Sequence, residues 1–131
     1  MNPTGPRPAA VASWHEVVES GDPARLDDLL AEDVVFRSPA VYTAQEGKGL
    51  TTAYLAAAMV VLGPTLRYLE EWYSDRSAVL EFEAELDGTF VQGIDLLRWN
   101  HDDRLVEFIV MVRPFRGLEK LIELMGRQLN P

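Results

Sequence analysis

The sequence predicts an α+β domain, a curved antiparallel sheet with three N-terminal helices packed on one face and a further helix at the C-terminus. Three observations lead to this fold class. Apolar residues recur at helical spacing in the first half, and four segments rich in β-branched, aromatic and leucine residues follow. Helical spacing then returns at the end of the chain. Helices beside consecutive antiparallel strands bury their apolar stripes against one sheet face.

Three helices and a short strand are predicted ahead of the main sheet. The apolar residues before Gly21 recur at helical spacing and predict the first helix. Asp22 as an N-cap, followed by Pro23, predicts the start of a second helix. A short strand at 34–36 and a third helix over 49–62 complete this half.

The second half of the chain predicts four consecutive strands. They cover residues 66–73, 78–86, 89–100 and 104–112. Asp87-Gly88 is typical of a two-residue hairpin turn, and Asp102-Asp103 predicts a second turn. A final helix over 114–129 presents an apolar face that needs burial.

Length and composition limit the domain count and the classes of partner. The chain has 131 residues, which is the length of one domain, and we expect that domain over 9–131. Residues 1–8 are expected to form a flexible lead. The net charge of −9 disfavours nucleic acid and anionic membranes, which are bound through Lys and Arg. The longest apolar run, 50–62, is too short to span a bilayer, and the chain has no cysteine. We therefore expect a cytoplasmic protein.

The two turns fix a register that isolates one acidic residue. With two residues in each turn, Asp95 lies opposite Leu80 on one side and Val110 on the other. Asp95 is then the only ionisable residue on the face that buries against the helices. That face consists of Leu80, Phe82, Ala84, Val91, Gly93, Asp95, Leu97, Trp99, Val106, Phe108, Val110 and Val112. Gly93 leaves room beside Asp95 for a ligand or for another backbone.

A buried carboxyl group has two explanations. Asp95 is a pocket residue whose pKa is raised by burial, or it caps a backbone amide or pairs with an arginine from a helix. Tyr42 and Tyr54 are the expected hydroxyl partners. The two histidines, His15 and His101, are expected to be solvated, and neither has a neighbour at metal-ligand spacing, so no metal or cofactor is expected.

The segment Ile94–Trp99, followed by Asp102–Leu105, resembles the strand–turn–strand of the ketosteroid isomerases. These enzymes belong to the nuclear transport factor 2-like superfamily, which also includes the SnoaL-like cyclases. The resemblance extends over residues 11–112 and implies a cone with an apolar interior that holds a small ligand. It also implies that Asp95 donates a hydrogen bond to a developing oxyanion.

Other positions depart from the isomerase pattern. The resemblance puts Trp14 at the position of the oxyanion tyrosine and Ser38 at that of the general base. A serine without a base beside it cannot move a proton between carbons. The inward aspartate of the superfamily's epoxide hydrolases would fall near Val110. The resemblance therefore implies the cone and the pocket, but it lacks a base for isomerisation.

Two functions remain open at this point. The first is an enzyme that isomerises, cyclises or dehydrates a small apolar carbonyl compound, with Asp95 as hydrogen-bond donor. The second is a non-catalytic module that binds a ligand or a protein. Either would place ligand-binding residues at Trp14, Ser38, Tyr54, Phe82, Trp99, Phe108, Val110 and Val112. The outer sheet face, with Ile94, Leu96, Ile109 and Met111, predicts a homodimer.

Overall fold

The computed structural model describes residues 5–130 as four helices and six strands. The helices are α1 (Ala9–Ser20), α2 (Leu26–Leu29), α3 (Lys48–Leu62) and α4 (Phe115–Leu129). The strands are β1 (Leu30–Arg37), β2 (Gln45–Glu46), β3 (Arg67–Tyr73), β4 (Ser77–Leu86), β5 (Thr89–Trp99) and β6 (Leu105–Arg113). Residues 1–4 of the predicted lead, and Pro131, lie outside the described residues.

The six strands form one sheet in the order β2-β1-β6-β5-β4-β3. Every neighbouring pair is antiparallel except β1 and β6, which run parallel. The sheet is curved and unclosed, with the helices on its inner face, which confirms the predicted fold class. The predicted second helix is shorter than expected, because a 3-10 turn at Pro23–Arg25 precedes α2.

The hairpin turn at Asp87-Gly88 sets the register of the sheet as predicted. Both residues have positive φ, 50° and 83°, which is the backbone of the turn that Asp-Gly favours. Asp95 lies opposite Leu80 on β4 and opposite Val110 on β6. The predicted position of Asp95 on the inner face is therefore confirmed.

The second turn departs from the two-residue prediction. A bulge follows Arg98, so that Trp99 pairs with Leu105 instead of Val106. Leu105 is fully buried and Val106 only half-buried. The prediction that Val106 faces the core is wrong, because the bulge turns Leu105 inward in its place.

A second bulge lies in β3 between Tyr68 and Glu71. Tyr68 pairs with Phe82, but Glu71 pairs with Leu80, which leaves one extra residue in β3. Without the bulge, strict alternation would put Glu70 on the face of Tyr68. With it, Tyr68 and Glu71 share the inner face, and both come to lie near α1.

Helix α4 packs along α3 and the inner face of β5 and β6. Leu121 is buried against Phe82 and Val91, and Gly117 allows a close approach to β5. A Cβ at Gly117 would lie 2.5 Å from Val91 Cγ1. The apolar face of α4 is only partly covered, since Phe115 is exposed. Within residues 5–130, no helix combines the length and apolar character needed to cross a membrane.

Candidate functional site

A cavity of about 570 Å³ lies between the inner sheet face and the helices α1, α3 and α4. Its wall is mostly apolar, and α4 supplies part of it through Leu121 and Met125. Six of the residues predicted to bind a ligand line this cavity together with Asp95. They are Trp14, Ser38, Tyr54, Phe82, Phe108 and Val110.

The remaining two predicted ligand-binding residues lie elsewhere. Trp99 is buried in the core near α1 and α2, and Val112 packs beside Phe82 and Leu121; neither lines the cavity. The space above Gly93 is also not part of the cavity. A Cβ on Gly93 would lie 2.5 Å from both the Phe82 ring and the Met111 carbonyl oxygen, so protein atoms fill this space.

Asp95 is the buried acid of the cavity. Its side chain is 6% exposed. Burial raises the pKa of this carboxyl group from 3.8 to about 7, and a hydrogen bond from Tyr68 opposes the increase. Because the described chain brings no arginine or lysine to this carboxyl, the explanation of an ion-paired structural aspartate is not supported.

The partner of Asp95 is Tyr68, which the sequence analysis did not single out. The Tyr68 hydroxyl donates to Asp95 Oδ2 at 2.5 Å, and Trp14 Nε1 donates to the Tyr68 hydroxyl at 2.8 Å. The expected partners were wrong. Tyr42 is fully exposed, and Tyr54 stacks on Phe36 with ring centroids 5.5 Å apart.

This chain of hydrogen bonds has one direction. An indole N–H can only donate, so the single proton of Tyr68 is directed to Asp95 Oδ2, which must accept it. When Asp95 is protonated, its proton therefore sits on Oδ1. Tyr68 stays neutral, because burial and the nearby Asp95 charge hold its pKa well above 10. The arrangement can offer one O–H donor to a ligand.

Ser38 lies in the loop after β1, where it lines the cavity. Its Oγ accepts hydrogen bonds from the backbone N–H groups of Ala40, at 2.9 Å, and Val41, at 3.4 Å. The oxygen is thus occupied by its own turn. Nothing in this geometry makes Ser38 a base.

A second polar cluster lies next to Tyr68 and surrounds Glu71. This carboxylate is 7% exposed and is bound by His15, by Arg7 at 3.3 Å and by Tyr73 at 2.5 Å. The expectation that His15 is solvated is wrong, since its ring also contacts Tyr68 edge-on. His101 is exposed and lies 2.6 Å from Arg76. No group of three potential metal ligands occurs within residues 5–130.

Tyr68 and Glu71 escaped the sequence analysis for one reason. Strict alternation along β3 assigns Tyr68 and Glu71 to opposite faces, so it cannot place both on the inner face. The bulge after Tyr68 reverses that assignment. Counted back from the Tyr73–Ala78 pair, pairing without a bulge would put Leu69 opposite Phe82, so alternation gives no signal that identifies Tyr68.

Comparison with known proteins identifies a family and several similar solved structures. Residues 11–108 match the family of SnoaL-like domains. No curated protein matches the sequence. Among solved structures, a steroid delta-isomerase from Pseudomonas aeruginosa is 38% identical, with a TM-score of 0.88 over 92% of this chain and 89% of that one.

Two further solved structures have the same fold. An uncharacterized protein with a cystatin-like fold from Silicibacter pomeroyi is 28% identical, with a TM-score of 0.85 over 92% of this chain and 84% of that one. An NTF2-like protein of unknown function from Mesorhizobium loti is 22% identical, with a TM-score of 0.69 over 84% and 98%. The chain belongs to the SnoaL-like domain family of the nuclear transport factor 2-like superfamily.

Proposed function

We propose that the protein binds a small, uncharged, mostly apolar carbonyl compound and stabilises negative charge on its oxygen through Asp95. The observation that carries this proposal is the series of hydrogen bonds from Trp14 to Tyr68 to Asp95 in the wall of an apolar cavity. Each donor polarises the next group, so the Oδ1–H of protonated Asp95 becomes a stronger donor. A donor held in a dry site stabilises a developing oxyanion without reorganisation.

The similar steroid delta-isomerase supports a reaction in which a double bond moves next to a carbonyl group. Such a reaction removes a proton from one carbon and returns it to another, with an enolate between the two steps. Asp95 would hydrogen-bond the enolate oxygen. The proton carrier is the missing part, because Ser38 is bound to its own turn and Tyr68 stays protonated.

The direct test is turnover of a β,γ-unsaturated cyclic ketone, followed by the ultraviolet absorption of the conjugated enone. We expect weak turnover in the wild type and about 100- to 1000-fold lower turnover in Asp95→Leu, because removal of one oxyanion donor has an effect of that order. Asp95→Asn keeps a donor and should lose less. Asp102→Asn, an exposed aspartate in the next turn, is the matched control. Equal turnover in wild type and Asp95→Leu would contradict the proposal.

The second candidate is a non-catalytic binding module, and the lack of a base at Ser38 favours it. The two candidates give different results in one experiment. A binding module takes up the ketone with an affinity that depends on Asp95, but it produces no conjugated enone. Mass spectrometry of ligand retained by the purified protein would identify the compound class in either case.

We also propose that the outer sheet face forms a homodimer. On this face Ile94 lies opposite Met111 and Leu96 opposite Ile109, and Met111 is 52% exposed. An apolar patch with a charged rim is the usual anatomy of an interface.

The rim of this patch is organised by Glu107, which accepts from Arg37 and Arg98 at 2.8 Å each. Burial would raise the pKa of Glu107, but the two guanidinium groups outweigh it and hold the pKa below its usual value. On the same face, Arg113 donates to Gln92 and Glu83 binds Arg67.

A further inference from the structure

The proposed function does not depend on the distribution of charged residues around the cavity. Asp95 is the single carboxyl group among the lining residues that the structure describes, and none of those residues is Lys, Arg or His. Once Asp95 is ionised, it has a hydrogen bond from Tyr68 but no counter-ion. A buried carboxylate without a counter-ion favours a ligand that brings a positive charge.

The wall around this acid is rich in aromatic rings. Six rings line the cavity, those of Trp14, Phe36, Tyr54, Tyr68, Phe82 and Phe108. Several are in contact, with centroid distances of 4.8 Å for Trp14–Phe108 and 5.5 Å for Phe36–Tyr54. The face of an aromatic ring attracts a cation, and the net charge of −9 raises the local concentration of cations.

The number of free acceptors restricts which cation fits. Tyr68 occupies Oδ2 of Asp95, so Oδ1 is the carboxylate oxygen left for a ligand. The cross-strand neighbours of Asp95 are Leu80 and Val110, and Leu97 follows it on the same face. These side chains accept no hydrogen bond. A primary ammonium has three N–H groups to satisfy, whereas a tertiary ammonium has one.

We propose that the cavity also binds tertiary amines carried on an apolar framework, as cations, with the ionised carboxylate of Asp95 as their counter-ion. The inference uses the same cavity as the proposed function, but it requires no reaction there. It also requires the opposite protonation state, since a ketone binds to the protonated acid and an ammonium ion to the carboxylate.

We expect the affinity for an amine to depend on pH through Asp95, because the other titratable groups near the site do not provide a charge to the cavity. Tyr68 from β3 and Tyr54 from α3 are the titratable groups that line the cavity beside Asp95, and α1, β6 and α4 contribute uncharged side chains. Arg7, His15 and Glu71 line a separate small pocket that Tyr68 also borders. Glu71 is bound by both Arg7 and His15, so it does not supply a second counter-ion to the cavity.

The test uses three probes with the same hydrocarbon cage: N,N-dimethyl-1-adamantylamine, 1-adamantylamine and 1-adamantanol. Their affinities for the full chain are measured by calorimetry at pH 6 and pH 8, where both amines stay protonated. We expect the affinity of the tertiary amine to rise about tenfold as Asp95 ionises, because affinity scales with the competent fraction. The primary amine should bind more weakly than the tertiary amine, and the affinity of adamantanol should not rise.

Variants separate the counter-ion from the cavity itself. Asp95→Asn should lower the affinity for the tertiary amine at least tenfold and leave the affinity for adamantanol unchanged. Asp102→Asn should change neither affinity. The pH comparison on the wild type stands even if Asp95→Asn folds poorly.

Three results would overturn the inference: amine affinity that falls from pH 6 to pH 8, amine binding unchanged in Asp95→Asn, or no amine binding at pH 8. Adamantanol binding without amine binding would leave the proposed function standing. Amine binding in a protein that neither binds nor converts the unsaturated ketone would contradict the proposed function alone.

Discussion

Tyr68 on β3 donates a hydrogen bond of 2.5 Å to Asp95 on β5, although β4 lies between these strands. Tyr68 pairs with Phe82, and Phe82 pairs with Gly93, so the three residues form one row across the sheet. Gly93 has no side chain, and the Phe82 ring fills the space above it. The Tyr68–Asp95 contact thus starts from this packed row and ends at a carboxyl group that is itself buried.

Replacement of Asp95 by Asn should remove a pH-dependent loss of stability. The pKa of Asp95 is about 7 in the folded protein and about 3.9 in the unfolded chain, so between these values the folded state binds the extra proton. The contribution of Asp95 to the free energy of unfolding should be fully present below pH 4 and fall by about 4 kcal/mol as the pH rises through 7. In Asp95→Asn this contribution disappears.

A pH series of denaturant unfolding measures the difference between the wild type and Asp95→Asn. The variant should be at least as stable as the wild type at neutral pH, with Asp102→Asn as the exposed control. Destabilisation of Asp95→Asn by more than about 2 kcal/mol at pH 7 would mean that Asp95 is an ionised, paired carboxylate.

Ser38→Asp should supply the base that isomerisation lacks. Ser38 lines the cavity directly before Pro39, and the resemblance to the isomerases puts the general base at this position. A general base typically contributes about 10²- to 10⁴-fold to the rate. We expect the turnover of the unsaturated ketone to rise in Ser38→Asp and to return to the wild-type level in Ser38→Asn. A folded Ser38→Asp variant that binds the ketone without faster turnover would argue against this geometry.

Leu121→Ala should destabilise the protein, because α4 is fixed to the domain mainly by this side chain. Leu121 is 4% exposed and packs against Phe82 and Val91. Loss of a buried leucine typically costs about 2–5 kcal/mol. Thermal unfolding of Leu121→Ala, with the exposed Glu119→Ala as control, measures this cost. If the melting temperature of Leu121→Ala were unchanged, α4 would contribute little to the fold. The same conclusion would follow if truncation at Pro114 left the melting temperature unchanged.

Ile109→Glu should convert the proposed dimer into a monomer. The new carboxylate would lie opposite Leu96, in the middle of the outer apolar patch, where its desolvation disfavours association. Light scattering at micromolar concentration gives the mass, and Thr43→Glu adds the same charge in an exposed loop as the control. A monomeric wild type would contradict the homodimer proposal.

The sequence was sufficient for the position of Asp95, because a two-residue Asp-Gly turn determines which residues face each other in the following hairpin. It was not sufficient for the partner of Asp95. The bulges after Tyr68 and after Arg98 each insert one residue, and alternation along a strand does not predict such an insertion. Strand β2 was also missed, since its two residues pair only with β1 and have no pattern of their own.

Some residues of the cavity wall could be predicted from the sequence and others could not. Residues such as Phe82 and Phe108 follow from the register, whereas Trp99 lies on the predicted face but packs into the core near α1 and α2. The depth at which a side chain sits along the cone depends on how the helices cover the sheet. That arrangement is set by tertiary packing, which the order of apolar residues does not encode locally.

The most direct test of the account is the titration of the Asp95 carboxyl carbon by NMR in the wild type and in Tyr68→Phe, with Tyr54→Phe as control. We expect a midpoint of about 7 in the wild type. Tyr68→Phe should raise it, because the Tyr68 hydrogen bond favours the ionised form, and Tyr54→Phe should leave it unchanged. A wild-type midpoint near 4, the value of an exposed aspartate, would contradict a protonated donor in the cavity.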